Sequence, residues 1–187
     1  MQATGKRERL VTAARSLLHR QGYHRTTLAD VAGQAGVPLG NVYYYFRTKD
    51  DLLEAVVGEH ELQARAKLAA FDEIQDPRER LKALVRSSAD SSDLTARYGC
   101  PYGSLCQELD KGDPERDNPA ARLLRLHIDW AEEQFRSLGA GERARELAID
   151  LIASLQGASL LTSAFHTPRL MLDASRRLEA WIDTRPT

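Results

Sequence analysis

Cysteine is nearly missing from this 187-residue chain, and the two that occur, Cys100 and Cys106, are too few for a disulfide-held scaffold. Neither stands at a zinc-ligand spacing from a histidine, so no metal and no cofactor is expected. Long apolar runs are scarce too. No stretch reads as the roughly 20 residues needed to cross a bilayer, and the N-terminus lacks the apolar core of a secretory signal. The chain is therefore expected in the cytoplasm, without a membrane partner. There is no glycine-rich phosphate loop, no metal-spaced histidine pair and no acid–base constellation, which argues against an enzyme. A cysteine nucleophile at position 100 or 106 would lack a His/Asp partner pattern, and the five histidines (His19, His24, His60, His127, His166) are scattered.

What is present is an ordinary globular balance, 42% apolar and 28% charged, with its charge unevenly placed. Residues 1–50 carry eight Lys/Arg against three acids, a net of +5, and the remainder carries a net of −6. Such a division is expected if the first segment meets a polyanion and the rest does not. Apolar residues recur at helical rather than alternating spacing, so the chain is expected to be all-α with about nine helices.

A first helix spans Arg7 to Gln21, and Thr27, with Asp30 three residues on, caps a second. Gly36-Val37 breaks that helix, and a short third runs from Leu39 to about Phe46. Thr48 caps a long fourth, from Lys49 to about Phe71. Asp76-Pro77 opens a fifth that ends near Tyr98-Gly99, and Pro101 to Leu109 is a short sixth. After a loop over Lys111–Asn118, three longer helices start at Pro119, Glu142 and Pro168. Residues 1–48 are expected to form one domain and 49–187 a second.

The stretch Thr26 to Lys49, TTLADVAGQAGVPLGNVYYYFRTK, meets the separate demands of a helix-turn-helix. Leu28, Val31 and Ala35 supply an apolar stripe, and Ala32 a small residue at the crossing. Gly36 suits the positive φ of the turn, and Val37 tucks beneath it. Val42, with Tyr45 or Phe46, gives the inward positions of the next helix. A plain helical hairpin would meet some of these demands, but its solvated face would carry Glu, Lys and Gln. Here the outward face instead offers Pro38, Leu39, Gly40, Asn41, Tyr43, Tyr44 and Arg47. Short side chains permit close approach to base edges, and the Asn41 amide can hydrogen-bond them. Tyrosine and threonine hydroxyls suit phosphates.

These residues resemble the signature of the TetR (tetracycline-repressor-like) regulators. The resemblance rests on the Thr-Thr before the second helix, Val31-Ala32, Ala35-Gly36-Val37, Gly40-x-x-Tyr43-x-Tyr45-Phe46, Lys49 and Leu52-Leu53. It implies a dimeric DNA-binding regulator, with Thr27, Tyr43, Tyr44 and Lys49 on phosphates, assisted by the Thr26 hydroxyl. Pro38, Leu39, Gly40 and Asn41 would then face bases. Leu39 departs from the basic or polar residue common there; it cannot donate a hydrogen bond, though it can touch a thymine methyl.

Beyond Leu53 the resemblance is architectural. It implies an effector pocket among helices four to seven and a dimer built from the last two helices. The expected partners are thus double-stranded operator DNA, a small-molecule effector and a second copy of the chain. The aromatic and thiol side chains Tyr98, Cys100, Tyr102, Cys106, Trp130 and Phe135 are candidate pocket residues, or else core filling. The serine run Ser87–Ser92 faces either inward or to water. Leu151, Leu155, Ala158, Leu161, Met171, Leu178 and Trp181 are candidate dimer residues, or else complete a monomer core. The function expected is a ligand-released repressor. The alternatives are a sensor acting through a Cys100 thiol near a helix N-terminus, and a helical interaction module without DNA binding.

Overall fold

The computed structural model describes residues 5–110 and 118–185, and among these every regular element is helical. The elements are α1 (Lys6–Gln21), α2 (Leu28–Ala35), α3 (Leu39–Tyr45), α4 (Lys49–Asp72), α5 (Pro77–Asp90), α6 (Ser92–Tyr98), α7 (Pro101–Asp110), α8 (Ala121–Ser137), α9 (Ala144–Ala164) and α10 (Pro168–Asp183), with a 3₁₀ turn at Gly141–Arg143 before α9. The all-α expectation holds. The single helix expected over Pro77–Tyr98 is divided at Ser91 into α5 and α6. Serine side chains there bond back to their own helix, Ser87 Oγ to Leu84 O and Ser91 Oγ to Ser87 O. Such bonds compete with the regular ladder. The loop expected over Lys111–Asn118 lies outside the described residues apart from Asn118 itself.

Local chemistry sets the boundaries. Thr27 and Asp30 close a reciprocal capping box at α2, and Thr48 and Asp51 do the same at α4. Asp76 accepts from Arg78 N at 2.9 Å ahead of Pro77 in the first turn of α5. Gly36 ends α2 in the left-handed region, at φ 61°. Its following residue returns Val37 N to Ala32 O at 3.0 Å, satisfying a terminal carbonyl.

One core holds α1–α3, built on Leu10, Val31, Val42 and Phe46, with Leu52 and Val56 of α4 packed into it. The domain boundary expected at residue 48 thus falls at the cap of a helix that belongs to both parts. Of the two inward candidates on α3, Phe46 is the buried one and Tyr45 is exposed. A larger core joins α4, α5, α8, α9 and α10 around Leu81, Val85, Phe135, Leu151 and Ile182. A third cluster, Tyr23, Leu53, Val57, Leu105, Cys106 and Leu123, seals the joint between the first helices and α7–α8.

One expectation about apolar runs needs correction. The segment Gly141–Ala164 contains an 18-residue window of mean hydropathy 1.4 and is long and apolar enough to pass for a membrane span on length and composition. Its inner face, Leu147, Ala148, Leu151 and Leu155, lies in the main core, while Leu160 and Leu161, and Phe165 just past its end, are exposed. A helix apolar on all sides is one whose sides are all to be covered.

Candidate DNA interface and ligand cavity

α3 is pinned from beneath by wholly buried Val42 and by Phe46, so its other face turns outward. That face presents Tyr44 at 84%, Tyr43 at 54% and Leu39 at 41% exposure, with Pro38 and Gly40 also exposed and Asn41 half-buried. Tyr44 and Tyr45 pack edge to face at 5.0 Å, which fixes the direction of both rings. The surface required for groove entry is therefore outside, on one short helix.

The flanking residues divide. Thr26 is a correction: it is buried, and its hydroxyl donates to Gly22 O at 2.7 Å, so it ties the α1–α2 turn instead of facing a phosphate. Thr27 is exposed, but its hydroxyl donates to Asp30 and accepts from Asp30 N as the helix cap. Those bonds hold the Asp30 carboxyl below the usual carboxylate range. Lys49 is half-buried, with its ammonium 4.0 Å from the centre of the Tyr23 ring and near His24 O. Burial lowers its pKa, opposed by Asp50 and Glu108.

Sequence reasoning missed Glu108. From the last turns of α7 its carboxylate accepts from Tyr23 N at 2.6 Å and His24 N at 3.4 Å. A side-chain carbon on Gly22, where φ is 84°, would fall 2.4 Å from the same carboxylate. His24 Nε2 lies 3.1 Å from Glu108 O, and His19 Nε2 lies 3.0 Å from Gly99 O. The turn before α2 is therefore clasped to α7. No local pattern marks Glu108, because its partners are backbone amides 85 and 84 residues earlier.

Behind this joint lies a cavity of about 330 Å³ between α4, α5, α6, α7, α8, α9 and α10. Leu68, Leu84, Leu124, Ile152, Leu155 and Met171 give it an apolar floor; Ser87, Ser88, Ser91, Thr95 and Ser159 give it hydroxyls. Two of the candidate pocket residues line it, Cys100 and Tyr102. The other four are corrections. Tyr98 packs against His19 at 5.6 Å and beneath Arg20. Cys106 is buried in the joint cluster. Phe135 is fully buried against Trp181. Trp130 donates to Asp72 at 2.9 Å and lines a separate outer groove between α4 and α8. Aromatic content alone could not separate core rings from cavity rings.

Tyr102 sits between two histidines, with ring centres 5.2 Å from His60 and 5.5 Å from His127. Burial pushes His60 down to about 4, lowers His127 and raises Tyr102, so all three are neutral near pH 7. Gln156 Nε2 lies 3.5 Å from Cys100 Sγ, and Gly103 leaves room for the same amide. The two cysteines are not joined in a disulfide and belong to different clusters.

The dimer candidates also split. Ala158, Leu161, Leu178 and Trp181 line an open outer groove of α9 and α10. Leu151, Leu155 and Met171 are corrections: they point inward, Leu151 into the main core and the other two onto the cavity. The helical stripe was placed one face too far round.

Comparison with known proteins agrees with this geometry. Residues 10–56 match the family profile described as "Bacterial regulatory proteins, tetR family". The chain is 30% identical to the HTH-type transcriptional regulator LmrA of Bacillus subtilis, over 90% of this chain and 93% of that one. It is 31% identical to the HTH-type transcriptional regulator BetI of Burkholderia mallei, over 81% and 78%. Its fold matches the crystal structure of a TetR transcriptional regulator from Legionella pneumophila with a TM-score of 0.86 over 100% of both chains, at 19% identity. With a reading helix turned outward on a buried valine and relatives of this extent, the chain belongs to the tetR family of bacterial transcriptional regulators.

Proposed function

We propose that the protein is a ligand-released repressor that binds a palindromic operator as a homodimer in the cytoplasm. The carrying observation is the outward face of α3, where Tyr43 and Tyr44 stand exposed on a helix anchored by Val42. Soluble surfaces do not leave three consecutive tyrosines solvated without a use. Tyr43, Tyr44 and Lys49 hold phosphates, Pro38, Leu39, Gly40 and Asn41 approach bases, and Thr27 orients the helix through its cap. Pairing through the outer groove of α9 and α10 sets two such heads one helical turn apart.

The cavity is proposed as the effector site. A ligand that binds more tightly to the state with misplaced heads releases DNA. Two elements reach from cavity to head. α4 carries Lys67 and Leu68 on the cavity and Leu52 in the head core. α7 carries Pro101 and Tyr102 on the cavity, just after Cys100, and Glu108 on the turn before α2. Selection of bound sequences from random duplex DNA tests the reading: a recovered palindrome, bound with a salt dependence reflecting several phosphate contacts, is expected. Material indifferent to every duplex overturns it.

A further inference from the structure

The cavity's lining is uneven in charge. Among the described residues that line it, Lys67 is the only fully charged side chain, and none is an aspartate, glutamate or arginine. His127 adds no positive charge near neutral pH, because burial and the nearby Lys67 both disfavour its protonation. Its Nδ1 lies 2.7 Å from Leu123 O. A carbonyl can only accept, so Nδ1 carries the proton and Nε2 is left as an acceptor. Ser159 is 5% exposed, lines the cavity, and its hydroxyl has no hydrogen-bond partner. A buried hydroxyl left in that state is destabilising unless something else meets it. The hydroxyl's proton is met by an accepting oxygen on the occupant.

Resting on the cavity being the effector site, we infer that its occupant is an apolar acid: an aliphatic or aromatic body against Leu68, Leu84, Ile152, Leu155 and Met171, an anionic oxygen head toward Lys67, and an inner hydroxyl or carbonyl oxygen meeting Ser159. A cationic amphiphile is disfavoured on the same grounds. It would bring its charge to a site with a lysine and, among the described lining residues, no carboxylate, and a quaternary ammonium has neither a donor nor an acceptor to offer Ser159.

The test uses full-length protein and three probes sharing one chain, decanoate, decanol and decyltrimethylammonium, each titrated calorimetrically at pH 7 below its micelle concentration. Decanoate is expected to bind about tenfold more tightly than decyltrimethylammonium, with decanol between them. Lys67→Gln should bring the three within about twofold of one another, and Lys67→Glu should invert the order. Lys67 is exposed, so neither change threatens folding. For the inner contact, 10-hydroxydecanoate should bind more tightly than decanoate, and Ser159→Ala should abolish that margin while leaving decanoate itself unchanged. If wild-type protein takes the ammonium as well as or better than the acid, the inference is overturned while the cavity stands. If none of the four probes binds and none displaces the uncharged dye N-phenyl-1-naphthylamine, the effector site itself has been misassigned.

Discussion

Tyr44 and Asn41 sit three residues apart on α3 and are expected to fail differently. Tyr44 is the more exposed, and in the proposed function its hydroxyl meets the sugar–phosphate edge, so Tyr44→Ala should weaken binding to every duplex, selected or scrambled, by a similar factor. Asn41→Ala should instead raise affinity for mismatched duplexes relative to the selected one, by the roughly 1–3 kcal/mol that a bidentate base contact contributes. Gel-shift titrations on both duplexes separate the two, and equal loss on both for Asn41→Ala would remove it from base reading. His60 carries a different expectation. Its neutral ring is buried beside Tyr102, with Arg15 and His19 disfavouring its proton and Glu59 favouring it. The unfolded chain protonates this histidine near 6.5 and the folded one only near 4, so stability is lost as pH falls through that window. The difference in unfolding free energy between wild type and His60→Gln should therefore shift by about 3 kcal/mol from pH 7 to pH 4, in the direction that penalises wild type. Such neighbours are invisible in a linear reading. His60, Tyr102 and His127 fall on three different helices, and only the packing of α4, α7 and α8 brings them together.

At the scale of helices, the sequence was most legible where local chemistry decides. The capping pairs Thr27–Asp30 and Thr48–Asp51, the left-handed Gly36 and the Asp76-Pro77 start all act within a turn, and each fell where its chemistry put it. What escaped were features set by distant partners: the break at Ser91, the inward turn of Leu151, Leu155 and Met171, and the grip of α7 on the reading unit. That grip makes a measurable prediction. Glu108→Ala removes a charged acceptor from Tyr23 N and His24 N and should cost about 2 kcal/mol of stability. It should also speed hydrogen exchange at those two amides and lower operator affinity. Glu108→Gln keeps an accepting oxygen and should show a smaller loss in each. Unchanged exchange and unchanged affinity in Glu108→Ala would mean that α7 does not steer the head.

For the whole molecule, an apolar face of α9 and α10 remains open to water in a single copy, with Leu161 and Phe165 exposed and Gly157 facing free space. Replacing Leu161 by Asp would bury a charge in any partner contact there. Sedimentation should find Leu161→Asp monomeric at concentrations where the wild type is paired, with the monomer fold retained because the side chain is outside the core. A wild type that sediments as a monomer at micromolar concentration would defeat the proposed pairing. The brevity of α3 explains what such pairing is for. A helix of seven residues is about 10 Å long, and base pairs stack about 3.4 Å apart, so one head inspects only about four letters. A four-letter word recurs by chance about once in 250 positions, leaving thousands of decoys on a chromosome that offers about a million competing sites. Eight letters read jointly thin those decoys to about fifteen. On the proposed pairing, the genomic address is spelled at the front of the chain but made scarce enough to find by the grease at its far end.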